Sequence, residues 1–192
     1  DFFKVADYRD SCPASSIIHL KFPRKDGKGD IRFTWMDGGL LPQRPEELLP
    51  GEPLGHDGNG YIFEGTKGKL MGDYNVMPTL LPTSRMKEIT MPKPSIPRVP
   101  GAEAGHYTQW VEACTKGYGK MEVSSPLEYA GPFTEAVLMG NLAIRSYNMP
   151  GPEGNDYPGR KKLLWDAKNM KITNFDEANQ FVRDQYREGW TL

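Results

Sequence analysis

The residues best able to do chemistry in this sequence are scattered. Three histidines, His19, His56 and His106, stand far from one another. No two metal-ligating residues recur at helical or zinc-knuckle spacing, and no Gly-x-Ser-x-Gly elbow presents a nucleophilic serine. Gly27-Lys28-Gly29 lies in a charged turn and lacks the third glycine of a dinucleotide-binding loop. Gly65-Thr66-Lys67-Gly68-Lys69 resembles a phosphate loop at first sight. It lacks the four-residue gap, the Ser or Thr after the lysine and a following helix, and so reads as a hairpin turn.

What remains are single residues suited to recognition. Asp37-Gly38-Gly39 follows a strand ending at Trp35 and has two readings: a turn closed by an Asx-type hydrogen bond, or a substrate-side loop held by a rigid strand end. Arg44, between Gln43 and Pro45, is either an exposed arginine or one that recognises a polyol or a carboxylate. His106 opens a helix beside Tyr107, where an imidazole can orient a neighbouring group. His19 reads as a sheet residue and His56, between Gly55 and Asp57, as a solvated loop residue. The four tryptophans, Trp35, Trp110, Trp165 and Trp190, read as core first and as sugar-stacking platforms second.

The elements that must position these residues follow from periodicity. Residues 16–22 alternate, with Ile18, Leu20 and Phe22 on one face, and residues 31–36 repeat the pattern with Ile31, Phe33 and Trp35. The charged, glycine-rich run 24–29 makes them a hairpin with a long loop. Residues 37–59 have no period, and an excursion of that length in a compact domain is usually functional or mobile. A second hairpin spans 61–64 and 69–71, with a short strand at 78–82. Four prolines within 91–100 predict an extended connector. Residues 102–116 read as a helix ending at Gly117. Ser125-Pro126-Leu127-Glu128 has the form of a capping box with Pro126 at the first helical position. The helix it opens runs to about residue 147 and is apolar enough to predict burial on most sides, with Gly140 allowing a close backbone approach. Residues 163–166 predict a short strand, and Asn174 caps a last helix of about eight residues.

Composition sets the bounds. The chain has 192 residues, 38% of them apolar and 26% charged, which suits one domain of ordinary size. A net charge of −1 gives no long-range attraction for nucleic acid or an acidic membrane surface, and no apolar run is long enough for a membrane span. Glycine and proline together make up about a fifth of the residues, favouring loops and strand ends over a helical bundle. Cys12 and Cys114 read as two buried thiols, with a single disulfide as the alternative. The opening Asp1-Phe2-Phe3-Lys4 has neither an initiator methionine nor a signal peptide, so the chain reads as a fragment or processed product with its localisation signals outside it.

Several stretches then fall into a recognisable order. Ser11-Cys12-Pro13-Ala14-Ser15-Ser16-Ile17-Ile18 leads to Thr34-Trp35-Met36-Asp37-Gly38-Gly39-Leu40-x-Pro42-x-Arg44-Pro45-Glu46-Glu47-Leu48 and to Phe63-Glu64-Gly65-Thr66-Lys67-Gly68-Lys69-Leu70. His106-Tyr107-x-x-Trp110-x-x-Ala113-Cys114 follows, then Leu164-Trp165-Asp166, Asp176-Glu177-Ala178-Asn179 and Tyr186-Arg187-Glu188-Gly189-Trp190. In this order they resemble the bacterial-type C-terminal domain of the glucose-fructose oxidoreductase, inositol dehydrogenase and MocA (Gfo/Idh/MocA) family, over nearly the whole chain.

The resemblance implies a two-domain parent whose N-terminal Rossmann domain binds NAD or NADP. The C-terminal part would be α+β, with an open, mainly antiparallel sheet of about five or six strands and helices packed on one face. The uncovered face would meet the Rossmann domain or another subunit of a homo-oligomer. Residues 1–192 would form that single substrate-side and oligomerisation domain. Members of the family act mostly on sugars, polyols and related compounds, and some use the cofactor for redox-assisted glycoside cleavage. Within this reading, the residues expected at the substrate side are Asp37, Arg44, Lys67, His106 and Tyr107. No catalytic, cofactor-binding or metal-binding residue is expected in this chain. Lys93, in Pro92-Lys93-Pro94, lacks the glutamate of the family's lysine motif, and none of the three histidines matches the family's catalytic one. The alternative is a non-catalytic carbohydrate-binding or oligomerisation module.

Overall fold

A computed structural model describes residues 2–4, 12–74, 76–101, 104–184 and 186–190. The chain is α+β, with small antiparallel sheets and few helices. It divides into two compact units, one formed by residues 1–35 and 98–192 and the other by residues 36–97.

In the first unit, β1 (Phe2–Lys4) pairs antiparallel with β2 (Ser16–Pro23), which is also hydrogen-bonded to β3 (Asp30–Met36). The alternation read from the sequence decides burial along β2: Ser16 and Ile18 are buried, while His19 and Lys21 on the opposite face are exposed. Helix α1 covers Gly105–Lys116 and ends at Gly117, whose φ of 94° suits a residue without a Cβ. Helix α2 covers Leu127–Ser146. It packs on β2 where Gly140 meets Ile18; a Cβ on Gly140 would sit 3.0 Å from Ile18 Cδ1. The close approach expected at Gly140 is therefore present.

A small core lies beyond α2. Strands β7 (Trp165–Asp166) and β8 (Lys171–Ile172) pair antiparallel, and a 3-10 segment follows at Asp176–Phe181. In the second unit, β4 (Tyr61–Gly65), β5 (Gly68–Asp73) and β6 (Val76–Leu81) form an antiparallel sheet. Ile172, Phe175 and Ala178 form the buried cluster of the first unit, with Leu142, Met149, Leu163, Trp165 and Phe181 packed against it. Ile172 is 2% exposed, so its backbone groups need partners inside the protein. Asn179 supplies both. The Ile172 N–H donates to Asn179 Oδ1 at 2.7 Å, and Asn179 Nδ2 donates to the Ile172 carbonyl at 3.0 Å. The amide thus does for β8 what a third strand would do. Trp165 Nε1 donates to Glu135 Oε1 at 2.6 Å and ties β7 to α2, and the Arg145 guanidinium lies 4.5 Å from the centre of the Phe181 ring.

Several expectations change. The strands are shared among two three-stranded sheets and one two-stranded sheet instead of gathering into one of five or six; no strand continues the ladder across residues 37–60. Helix α2 is not buried on most sides: Phe133 is 61% and Val137 62% exposed, because only the Gly140–Ser146 end meets other elements closely enough for full burial. Pro126 is the N-cap and not the first helical residue; its ψ of 158° is extended, and no side chain caps the turn. Asn174 caps nothing. Its Oδ1 accepts from the Leu164 N–H at 2.8 Å and its Nδ2 donates to the Lys162 carbonyl at 2.8 Å, and the short 3-10 segment starts after Phe175. Cys12 and Cys114 are free and exposed, not buried. Trp35, Trp110 and Trp190 are exposed as well, leaving Trp165 as the tryptophan packed against the core.

Replacing Asn179 by Ala leaves two buried backbone groups of Ile172 without partners. The expected loss of unfolding free energy in urea is about 1–3 kcal/mol. Asn179→Gln is not expected to restore it, because one added methylene moves the amide out of register with both groups.

Candidate functional site

Of the expected site residues, Asp37, Arg44 and Lys67 lie in the unit formed by residues 36–97, and His106 and Tyr107 lie in the other. Asp37 leaves the end of β3 into a tight turn: its carbonyl accepts from the Leu40 N–H at 3.3 Å, and Gly38 and Gly39 hold φ of 63° and 83°. Both glycines occupy the left-handed region that a side chain would disfavour.

Arg44 serves the loop it belongs to. Its guanidinium donates to the Leu49 carbonyl at 2.7 Å. Glu52 completes the tie, accepting from the Leu49 N–H at 2.7 Å and from the Thr83 hydroxyl at 2.6 Å. The Thr83 hydrogen bond, then the Leu49 N–H and the nearby Arg44, hold the Glu52 carboxyl below the usual range. The aperiodic stretch after β3 is thereby fastened to the 3-10 turn Thr83–Lys87 of its own unit.

Lys67 sits at the tip of the β4–β5 hairpin, where Gly65 pairs with Gly68. The hairpin turn read from Gly65-Thr66-Lys67-Gly68 is the turn present. An open depression of about 370 Å³ lies beside it, lined by Phe63, Leu70, Leu80, Lys67, Lys69 and Arg85 among others. Its volume falls at the low end of small-molecule sites. Lys69 Nζ donates to Glu47 Oε2 at 2.9 Å and lies 3.9 Å from Glu64. The hydrogen bond to Glu47 raises the Lys69 pKa, and the same bond lowers that of Glu47. Arg85 donates to the Lys67 and Leu81 carbonyls at 3.4 and 3.5 Å.

His106 and Tyr107 begin α1. His106 Nδ1 lies 3.1 Å from Ser124 Oγ, and Ser124 is held in turn by Gln109. Tyr107 is exposed. His19 bonds across the sheet through Nδ1 to Thr34 Oγ1 at 3.0 Å, as a sheet residue would, and exposed His56 lies 3.5 Å from Asp57. Gln109, Ser124, Glu52 and Arg85 were not singled out by sequence. Gln109 was within reach of a helical argument, since it stands three positions after His106 on one helix face. Ser124, in a separate loop, gave no such signal. Among the described residues, no helix is long and apolar enough to cross a membrane.

No family model matches the chain, and no curated protein matches it.

The carboxylate network of the 36–97 unit makes a signed pH prediction. Glu47 and Glu52 titrate lower when folded than unfolded, so their contribution is present above the ordinary glutamate value of about 4.3 and is lost as pH falls through the folded values. Lys69 titrates higher when folded, so its contribution is present below about 10.4 and lost as pH rises through its folded value. The expected stability is flat through neutrality and falls on the acid side. Glu52→Ala should speed hydrogen exchange of the Leu49 amide and blunt that acid-side fall.

Proposed function

We propose that this chain is the substrate-side and assembly half of an NAD(P)-dependent oxidoreductase acting on a sugar, polyol or related compound, completed by a Rossmann domain that carries the cofactor. The observation that carries the reading is the ordered set of motifs from Ser11-Cys12-Pro13 to Tyr186-Arg187-Glu188-Gly189-Trp190. The full reaction would be hydride transfer between a substrate carbon and nicotinamide, with the cofactor supplying the redox chemistry. This half would contribute recognition, with Asp37 and Lys67 as candidates in one unit and His106 and Tyr107 in the other, while Arg44 is engaged in holding its own loop.

The assembly part draws support from the surface. Ile31, Phe33 and Trp35 along β3 are all about half exposed. His19 and Thr34 bond on one side of the β2–β3 pair, so by strand alternation Ile31, Phe33 and Trp35 share the other side with Ile18. That is the side α2 covers over β2, and it stays open over β3. Apolar surface of this kind marks sites of association. The same aromatics favour the second reading, a carbohydrate-binding or oligomerisation module without redox chemistry.

The test compares this chain with the same chain joined to its nucleotide-binding half. The chain alone is expected to bind neither NAD nor NADP tightly, and the joined protein to bind one of them and oxidise a sugar or polyol. Tight dinucleotide binding by this chain alone would overturn the division of labour. Glycan binding that is indifferent to cofactor redox state, with no dehydrogenase activity in the joined protein, would favour the second reading.

A further inference from the structure

The His106 cluster fixes the position of a proton. The Ser124 backbone N–H donates to Gln109 Oε1 at 2.8 Å. A backbone N–H can only donate, so the Gln109 atom facing it is the carbonyl oxygen and not the amide nitrogen. The Ser124 hydroxyl lies 2.7 Å from that same oxygen. Two oxygens that close need a hydrogen between them, and the amide oxygen has none to give. The single hydroxyl proton of Ser124 therefore points at Gln109. Toward His106 Nδ1, 3.1 Å away, Ser124 Oγ then offers only lone pairs, so the proton in that hydrogen bond belongs to Nδ1.

We infer that neutral His106 is held as the Nδ1–H tautomer and presents Nε2 as a lone-pair acceptor for a hydroxyl of a polyhydroxylated ligand. The relay Gln109–Ser124–His106 is thus a positioning device for one acceptor atom. It runs against the intrinsic preference of the ring, since free histidine in water favours the Nε2–H form. His106 is exposed, and among the described residues Ser124 is the group hydrogen-bonded to its ring. Tyr107, also exposed, is the next residue of α1. An acceptor nitrogen of fixed tautomer discriminates between ligands by demanding a donor, and an unpaired acceptor penalises ligands that lack one. The ligand class rests on the proposed function; the tautomer does not.

The experiment is long-range proton–nitrogen correlation of the whole chain with labelled histidine, at a pH where the imidazole is neutral. The His106 signals are expected to show a pyrrole-type Nδ1 and a pyridine-type Nε2. Ser124→Ala is expected to return the ring toward the Nε2–H form, while Gln109→Glu, which keeps an acceptor for Ser124, preserves the Nδ1–H form. An Nε2–H ring in the wild-type protein overturns the inference even if every variant misfolds. Titration with D-glucitol or D-glucose is expected to move the Nε2 resonance, with binding about tenfold weaker in Ser124→Ala, the worth of one hydrogen bond. An unmoved Nε2 with the Nδ1–H tautomer intact would overturn the ligand assignment. Because the tautomer is read without sugar or cofactor, failure of the oxidoreductase reading would leave that part standing.

Discussion

The core of the unit formed by residues 1–35 and 98–192 depends on one side-chain amide satisfying the buried backbone of a single strand residue, Ile172. Ile172 enters the core with its N–H and carbonyl paired, because leaving both buried and unpaired would cancel much of what burying the isoleucine side chain contributes. Asn179 provides both bonds and is itself steadied by Asp176, whose carboxylate accepts from its Nδ2 at 3.0 Å. With β8 in place, Ala178 and Phe175 bury beside Ile172, and Trp165 packs against them while bonding Glu135 of α2. The Asp176-Glu177-Ala178-Asn179 motif is thus a folding device: it brings one fully buried alanine and one strand-completing amide in consecutive positions.

Away from that core, many large apolar side chains stay open. The core built around Ile172 is small, and α2 reaches β2 through the gap at Gly140 without extending over β3. A sheet covered on part of one side and a helix exposed along its first turns leave apolar side chains such as Ile31 and Phe133 open. Aromatic residues such as Trp35 and Phe133 account for large apolar area there.

Polar networks do the remaining work in both units, and in each a side chain stands in for missing backbone structure. Glu52 fastens a long loop that has no ladder of its own, using the Leu49 N–H and the Thr83 hydroxyl. Arg44, which has the residue type for ligand recognition, instead bonds the Leu49 carbonyl. Asn174 ties Leu164 and Lys162. In the His106 cluster the same logic produces an asymmetry with chemical consequence, because a donor-only backbone group at one end decides which ring nitrogen holds a proton at the other.

Local signals were enough to determine the strands at 16–22 and 31–36, the hairpin around Thr66-Lys67 and the helix ending at Gly117. These are local matters: period, turn chemistry and a glycine that can take positive φ. The apolar faces were also legible, but not which of them would be covered, since coverage depends on which element arrives from far along the chain. That is why the tryptophans and α2, read as buried, are largely exposed. The capping roles of Ser125 and Asn174 failed for a related reason: a local motif competes with any distant group that needs the same atoms, and Leu164 and Lys162 claimed the Asn174 amide. The candidate residues were visible as types, and His106 stood out beside Tyr107. Only tertiary structure brought Ser124 against Gln109 and His106, across fifteen and eighteen positions of sequence, because a proton's place in a hydrogen-bond chain is set by its partners in space and by nothing in the order of residues.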